Sequence, residues 1–251
     1  MATCEACNTI PKVVVDDYKP AGFYNEDIGG LRCYVTGSPT SARGIFDIYD
    51  VFGLAPQTLQ GADLLAKALD ALVIIPDFFK GNPINPEWFT DKSDAAQQAK
   101  DEWMKGNLNF PDYVPVLFSV AGAAKTTYAS VKSWASLGLC WGGKVTALAS
   151  GDGTPFSVSG QVHPGRLARE DAEKIVIPHI VLASNGEDAE VVKEYSEILT
   201  GEGKPGEVET YPTMHHGWMG ARANLKDHEN LKEYERGYNH IAKFFSKHLQ
   251  L

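Results

Sequence analysis

The rest of the chain is expected to be arranged around one stretch near its middle, Ala135-Ser136-Leu137-Gly138-Leu139-Cys140-Trp141-Gly142-Gly143-Lys144-Val145. An apolar strand runs here into a glycine-flanked cysteine and then directly into a helix. The chain must bend tightly for this, and Gly138 and Gly142 relieve the crowding because they lack Cβ atoms. We expect the bend to lift the Cys140 side chain above the sheet edge, beside the unpaired N–H groups of a helix N-terminus. The alternative is a buried, apolar cysteine at a tight turn.

The composition favours one intracellular globular unit. The chain has 251 residues, of which 43% are hydrophobic, and α/β folds of this length commonly form one domain. We therefore expect a single domain over residues 1–251, with residues 1–30 as a possible edge extension. A net charge of -9 argues against nucleic acid as a partner. No apolar run approaches the length of a membrane span and the amino terminus does not resemble a signal peptide, so we expect neither a membrane association nor a location outside the cytoplasm.

The four cysteines are too few and too unevenly spaced for a disulfide framework. A reducing compartment fits this pattern, and a reactive thiol would survive there. Cys4 and Cys7 form a C-x-x-C pair, but a zinc ion would need two further ligands and there is no second cysteine pair. We therefore expect a lightly packed terminus here and no metal site.

Helices and strands alternate along the rest of the chain. The spacing of leucines predicts a helix over Gln60–Leu72, which feeds a short apolar strand over Ala71–Ile75. Similar patterns predict strands ending near Asp50 and over Pro178–Ala183, and a long closing helix with Tyr234 on its apolar face. This alternation favours an α/β fold with one mostly parallel central sheet and helices on both of its faces.

Three polar residues follow strand ends in the chain order Cys140, Asp188, His216. This order of nucleophile, acid and histidine is the one found in α/β-hydrolases, and the carboxyl ends of parallel strands meet at one edge of the sheet. Acyl transfer needs a thiolate that attacks, a base that shuttles a proton and an acid that orients the base. We assign these roles to Cys140, His216 and Asp188, respectively.

Each assignment has an alternative close by in the sequence. His215 precedes His216, but Gly217 suits a tight loop that presents the His216 ring inward. Glu187 is an alternative to Asp188 as the acid that orients the histidine, although its position is more typical of a solvated loop charge. His163, beside Pro164, reads as a structural residue or as one at the edge of a pocket.

Together these motifs resemble the dienelactone hydrolase (carboxymethylenebutenolidase) family, especially its fungal and other eukaryotic members. The resemblance spans nearly the whole chain. It is carried, in the family's order and at comparable spacing, by Asp50-Val51-Phe52-Gly53, Pro76-Asp77-Phe78-Phe79-Lys80-Gly81, Gly138-Leu139-Cys140-Trp141-Gly142-Gly143-Lys144, His163-Pro164-Gly165, Asp188 and His216-Gly217-Trp218.

The resemblance implies an α/β-hydrolase fold and a cofactor-free hydrolase of small esters or lactones, with Cys140, Asp188 and His216 as its triad. It implies that Trp141 and Val51 supply the N–H groups of an oxyanion hole. It also implies that Asp50 is a gating acid that contacts the resting thiol and helps to form the thiolate when substrate arrives.

The chain departs from the bacterial pattern where the substrate is held. Bacterial members hold a substrate carboxylate with two arginines, whereas Phe79-Lys80-Gly81 contains none and Arg222 is displaced along the chain. Dienelactone itself is therefore not the expected substrate. We expect a bulkier, more aromatic pocket, formed by Phe79, Lys80, Trp88, Trp218 and Arg222, that suits an ester or lactone of aromatic or polyketide-like origin.

The sequence thus predicts a cysteine-dependent hydrolase that works through an acyl-enzyme, as a monomer or a homodimer. A thioesterase or a tailoring enzyme of secondary metabolism is an alternative within the same class. A catalytically idle member that binds a ligand is an alternative from another class.

Overall fold

A computed structural model describes residues 12–249 of the chain. Eight strands lie in one sheet: β1 Phe23–Ile28, β2 Leu31–Thr36, β3 Arg43–Ile48, β4 Ala71–Pro76, β5 Ser133–Leu139, β6 Val158–Val162, β7 His179–Ala183 and β8 Glu207–Thr210. Their order across the sheet is β1-β2-β4-β3-β5-β6-β7-β8. Strands β3 to β8 run parallel to one another, and β2 is antiparallel to both β1 and β4.

Within residues 12–249, seven α-helices cover the two faces of this sheet. They are α1 Pro56–Leu69, α2 Asp94–Asn107, α3 Tyr113–Thr127, α4 Trp141–Leu148, α5 Arg169–Lys174, α6 Ala189–Leu199 and α7 His228–His248. Two short 3-10 helices, Pro86–Phe89 and Phe110–Asp112, flank α2. Helix α1 packs against α7, and α4 contacts both α3 and α5. The predicted α/β architecture, a mostly parallel sheet between helices, is confirmed.

The central strands are buried along their whole length. Every residue of β4 and of β5 is buried, as continuous apolar runs must be when a parallel sheet is covered on both faces. The closing helix α7 buries the stripe predicted from its period, including Tyr234, Tyr238 and Phe245. None of the helices in residues 12–249 is long and apolar enough to cross a membrane.

The amino-terminal part of the described chain lies on α1. The Gln60 side chain accepts a hydrogen bond from the Val14 N–H and donates one to the Val14 carbonyl. The Asp63 carboxylate accepts the Tyr18 hydroxyl at 2.5 Å and the Ala21 N–H at 2.8 Å. Strand β1 then forms one edge of the sheet, so the predicted edge extension includes a strand of its own. The Cys4–Cys7 pair lies outside the described residues.

Candidate active site

Cys140 stands in a sharp turn between β5 and α4. Its backbone has φ 51° and ψ -107°, a strained conformation for a residue with a side chain. A Cβ on Gly138 would lie 2.1 Å from the Gly142 carbonyl oxygen, and one on Gly142 would lie 2.0 Å from the Ile48 carbonyl oxygen. The two glycines are therefore required by close approach of the backbone, as the sequence pattern predicts.

Hydrogen bonds from two directions hold the backbone of the turn. The Cys140 N–H donates to the Val162 carbonyl at 3.0 Å, and the Cys140 carbonyl accepts from the N–H groups of Gly143 at 3.1 Å and Gly165 at 2.9 Å. Trp141 is the first residue of α4, so its N–H has no partner four residues earlier in the helix. Trp141, Cys140 and Val51 all line the same cleft.

His216 is oriented by Glu187. The ring Nδ1 lies 2.7 Å from Glu187 Oε1, and because a carboxylate can only accept, Nδ1 carries the proton and Nε2 remains for another partner. The Glu187 side chain is only 4% exposed. Its two oxygens also accept the Ser184 hydroxyl, at 3.0 Å, and the Ser184 N–H. A buried carboxylate with these donors is a fixed acceptor for the imidazole.

The structure corrects the choice of Asp188 as the residue that orients the histidine. Asp188 is the N-cap of α6, and its Oδ1 accepts the N–H groups of Glu190 at 2.9 Å and Val191 at 3.3 Å. An aspartate in this position stabilises the start of the helix. The chain turns between residues 187 and 188, so Glu187 faces His216 while Asp188 faces the helix.

His215 does not compete for the same place. Its Nε2 lies 3.2 Å from the Arg222 carbonyl oxygen, and it is His216 that lines the cleft together with Cys140. Gly217, with φ 96°, adopts the left-handed conformation that the sequence argument expects from a tight loop.

The surroundings of His216 favour its charged form. Burial disfavours the charge, but hydrogen bonds and charge from Cys140 and Glu187 outweigh burial and raise the pKa of His216 to about 10. At neutral pH the imidazolium therefore lies between two acidic groups.

Asp50 connects two loops of the site. Its Oδ1 accepts the Phe52 N–H at 2.9 Å and its Oδ2 accepts the Ala221 N–H at 2.8 Å. A Cβ on Gly220 would lie 2.4 Å from Asp50 Oδ2, so the loop after His216 fits closely over this carboxylate. Burial raises the pKa of Asp50 to about 6, and the two backbone donors oppose this rise.

His163 is fully buried behind His216. The two ring centroids are 5.2 Å apart in an edge-to-face arrangement. Burial, followed by the positive charge of His216, lowers the pKa of His163 well below its usual value, so the ring is neutral. Neither ring nitrogen has a hydrogen-bond partner within residues 12–249. His163 therefore packs against the His216 ring as a neutral, buried side chain.

An apolar cleft of about 500 Å³ opens beside Cys140. Its walls come from the loop after β3, the first 3-10 helix, the end of α2, the sharp turn at Cys140 and the loop of His216. The lining residues are Val51, Phe52, Pro86, Phe89, Met104, Leu108, Phe110, Cys140, Trp141, Gly165, Arg166, His216 and Arg222. The size and the apolar lining are typical of a site for a small molecule.

Of the five residues expected to form the pocket, Arg222 lines this cleft and four lie elsewhere. Phe79 is buried behind the site, with its ring 4.8 Å from that of Trp141. Lys80 is exposed at a turn with φ 51°. Trp88 belongs to the first 3-10 helix, whose Pro86 and Phe89 form the wall instead. Trp218 is fully buried and stacks on Tyr211 at 4.6 Å, because the chain reverses at Gly217 and turns this ring into the core.

Arg166 is a charged residue of the cleft that the sequence did not indicate. Its φ is 52°, its carbonyl accepts Lys144 Nζ at 3.0 Å, and Lys144 also pairs with Asp171. The guanidinium lies 5.9 Å from the centre of the Phe110 ring. The sequence signal His163-Pro164-Gly165 marked the loop, but the placement of Arg166 depends on backbone strain and on Lys144, which no periodicity reveals.

Solved structures with the same fold include a dienelactone hydrolase from Anabaena variabilis. It has a TM-score of 0.58 and 12% identity, and the match covers 91% of this chain and 97% of that one. Thermogutta terrifontis esterase 2, in a form phosphonylated by sarin, has a TM-score of 0.60 and 12% identity, over 94% of this chain and 98% of that one. At such identities these likenesses establish the α/β-hydrolase fold alone.

Sequence relatives are closer. An uncharacterised AIM2 family protein of Schizosaccharomyces pombe is 33% identical over 92% of this chain and 93% of its own length. A second such protein from the same yeast is 32% identical over 98% of both chains. The sequence model of the dienelactone hydrolase family matches residues 31–249, which include every residue of the cleft. The chain belongs to the dienelactone hydrolase family.

Proposed function

We propose that this protein is a cysteine hydrolase that cleaves a small ester or lactone through an acyl-enzyme on Cys140. The observation that carries the proposal is the line of contacts from Cys140 to His216 to Glu187 at the mouth of an apolar cleft. The family and the fold support an ester hydrolase in general. The triad Cys140–His216–Glu187, with Glu187 in the place expected for Asp188, is the finer part of the proposal.

In the acylation step, the Cys140 thiolate attacks the carbonyl carbon and forms a C–S bond. The negative charge passes to the carbonyl oxygen, where the N–H groups of Trp141 and Val51 stabilise it. The C–O bond to the leaving group then breaks, and His216 gives its Nε2 proton to the departing alkoxide. Glu187 holds the Nδ1 proton throughout and keeps the ring in the productive orientation.

In the deacylation step, the neutral His216 takes a proton from a water molecule. The resulting hydroxide attacks the thioester carbonyl, the C–S bond breaks and the carboxylic acid leaves. Cys140 returns as a thiolate beside the imidazolium. The step needs no metal or cofactor, and a thiol nucleophile requires a reducing compartment such as the cytoplasm.

Asp50 enters the proposal as the residue that fixes the two loops around the nucleophile. Its carboxylate bridges the Phe52 and Ala221 amides, so it positions the neighbouring Val51 N–H and the loop that carries Arg222. The gating role that the family resemblance implies for this acid stays a prediction. Protonation of Asp50 below about pH 6 would weaken both hydrogen bonds.

The proposal is tested by trapping the acyl group. The purified protein is mixed with an activated aryl ester, quenched in acid and digested, and the Cys140 peptide is examined by mass spectrometry. We expect the acyl mass on Cys140 and its absence from Cys140→Ala, whose ester turnover falls by about 10⁴ or more.

Cys33 provides a control within the same molecule. It is fully buried, and burial raises the pKa of its thiol to about 12, so the Cys33 peptide stays unmodified at neutral pH. Full ester turnover by Cys140→Ala would refute the proposal. Failure of Cys140 to react with any ester or with iodoacetamide would favour a catalytically idle, ligand-binding member.

A further inference from the structure

A second cleft of about 290 Å³ meets the apolar cleft at His216. It is lined by Pro164, Leu167, Gly186, Glu187, Asp188 and Val191, and it shares Gly165, Arg166 and His216 with the first. For clarity we call the first the acyl cleft and the second the leaving-group cleft. Both names rest on the proposed function.

The two clefts are lined by different members of the proposed triad. Cys140, Trp141 and Val51, which would bind the carbonyl group, line only the first cleft. Glu187 and Asp188 line only the second, where His216 forms part of the wall. Because the acyl group stays bonded to Cys140 while the leaving group takes its proton from His216, each half of an ester has its own cleft.

The linings of the clefts differ in chemistry. Aromatic and aliphatic side chains such as Phe52, Phe89 and Leu108 dominate the acyl cleft. The smaller cleft is lined by Asp188, which is exposed, and by Glu187, whose carboxylate is bonded to His216 and Ser184. Apolar surface favours an apolar group, whereas charged and polar walls favour a group that can form hydrogen bonds.

Arg166 lines both clefts, and we call it the ridge between them. Its backbone is held in a strained conformation, and its carbonyl is bound by Lys144. The side chains of Lys144 and Asp171 are only 14% and 8% exposed. Truncating one partner of such a buried pair lowers the stability of the fold strongly. The pair therefore holds the loop that carries Arg166 in place. The position of the ridge is therefore fixed by these contacts.

We propose that the substrate is an ester with a bulky, apolar, ring-bearing acyl group and a smaller, polar alcohol, and that Arg166 separates the two halves. The acyl cleft holds the group that is transferred to Cys140. The leaving-group cleft admits the alcohol and releases it once His216 has protonated it. Selectivity for the acid half and for the alcohol half is therefore set by different walls of the site.

The test uses the fact that the alcohol has left before deacylation. Four esters combine a 2-naphthoyl or acetyl group with a glycerol or hexyl alcohol, and rapid quench gives separate rate constants for acylation and deacylation of Cys140. For the unmodified protein, we expect the naphthoyl glycerol ester to acylate fastest, at least tenfold above the acetyl hexyl ester. Deacylation depends on the acyl group alone.

Two matched variants each fill one cleft. Leu108→Trp should slow both acylation and deacylation of the naphthoyl group at least tenfold and leave the acetyl group nearly unaffected. Val191→Trp should slow acylation by the glycerol ester and leave deacylation of the same acyl group unchanged. Arg166→Ala should reduce the preference between the two alcohols, whereas Arg169→Ala, on the neighbouring helix α5, should not.

The outcomes separate this inference from the function on which it rests. If Cys140 is acylated but Val191→Trp alters selectivity for the acyl group, or Leu108→Trp alters selectivity for the alcohol, the assignment of the clefts is overturned. Equal rates for all four esters with the unmodified protein, whose folding is not in question, overturn it as well. If no ester acylates Cys140, the proposed function fails, and the inference fails with it.

Discussion

Exchanging the acid at position 187 or 188 gives a direct measure of which carboxylate serves His216. Glu187→Gln keeps the shape of the side chain and removes its charge, and Asp188→Asn does the same one residue later. Of these two carboxylates, it is Glu187 that lies within hydrogen-bond distance of the His216 ring, at 2.7 Å. The two variants are therefore a matched pair in size and chemistry.

The expected size of the effect follows from the pKa of His216. A rise from 6.5 to about 10 corresponds to about 5 kcal/mol in favour of the imidazolium, at about 1.4 kcal/mol per unit. Cys140 and Glu187 supply this gain together against the cost of burial. If Glu187 contributes about half, its neutralisation costs about 2 to 3 kcal/mol, or a loss of about 10²-fold in kcat/KM. A ring that changes tautomer would lose up to about 10⁴-fold.

Asp188→Asn should behave differently. Asparagine also caps a helix N-terminus, so activity and stability should stay near those of the unmodified protein, while Asp188→Ala should cost about 1 kcal/mol of unfolding free energy. The assay is hydrolysis of an aryl ester, with urea unfolding in parallel. If Asp188→Asn loses more kcat/KM than Glu187→Gln, the assignment of Glu187 is refuted.

Three further results are expected. Asp47 is fully buried, neither of its oxygens has a hydrogen-bond partner within residues 12–249, and burial followed by the charge of Asp50 raises its pKa to about 8. Between pH 4 and pH 7 the folded protein therefore keeps a proton that the unfolded chain releases, so its stability should fall by about 4 kcal/mol over this range. Urea unfolding should show this fall in the unmodified protein and not in Asp47→Asn. Gly142→Ala brings a Cβ within 2.0 Å of a carbonyl oxygen and should lower the Tm and the activity, whereas Gly122→Ala, which meets nothing within 4 Å, should raise the Tm. The acylation rate should fall above about pH 10, because deprotonated His216 cannot protonate the leaving group; a rate that keeps rising there would contradict that role.

The fold and the tight turn that carries Cys140 could be predicted because their signals are local. The sharp turn between β5 and α4 is specified by an apolar run, a cysteine and two glycines, since backbone crowding at Gly138 and Gly142 acts within a few residues. The alternation of strands and helices then places Cys140 and His216 at one edge of the sheet. These parts of the argument need no knowledge of distant side chains.

The choice between Glu187 and Asp188 failed for a reason that was visible in the sequence. Asp188 directly precedes the helical pattern of Ala189–Leu199, and an aspartate there is a typical N-cap. A cap must turn its side chain toward the helix amides, so it cannot also serve a histidine on the other side. The N-cap pattern at Asp188 therefore favours Glu187 as the partner of His216.

The lining of the cleft could not be predicted in the same way. Whether Trp218 points to the cleft or the core depends on the φ of Gly217 and on space near Gly237. Arg166 enters because Lys144 holds its loop, from more than twenty residues earlier in the chain. Such placements are set by packing between elements, which a single sequence does not display.

The position of β8 at the edge of the sheet has a consequence for how the protein loses activity. Cys140 follows β5, a central strand in which every residue is buried, whereas His216 follows β8, a four-residue edge strand with no fully buried residue. Strands of this kind open by local fluctuations at a lower free energy than the core. The amides of β8 should therefore exchange with deuterium sooner than those of β5. Mild denaturant should separate the base from the nucleophile while most of the sheet remains folded, so that inactivation precedes global unfolding.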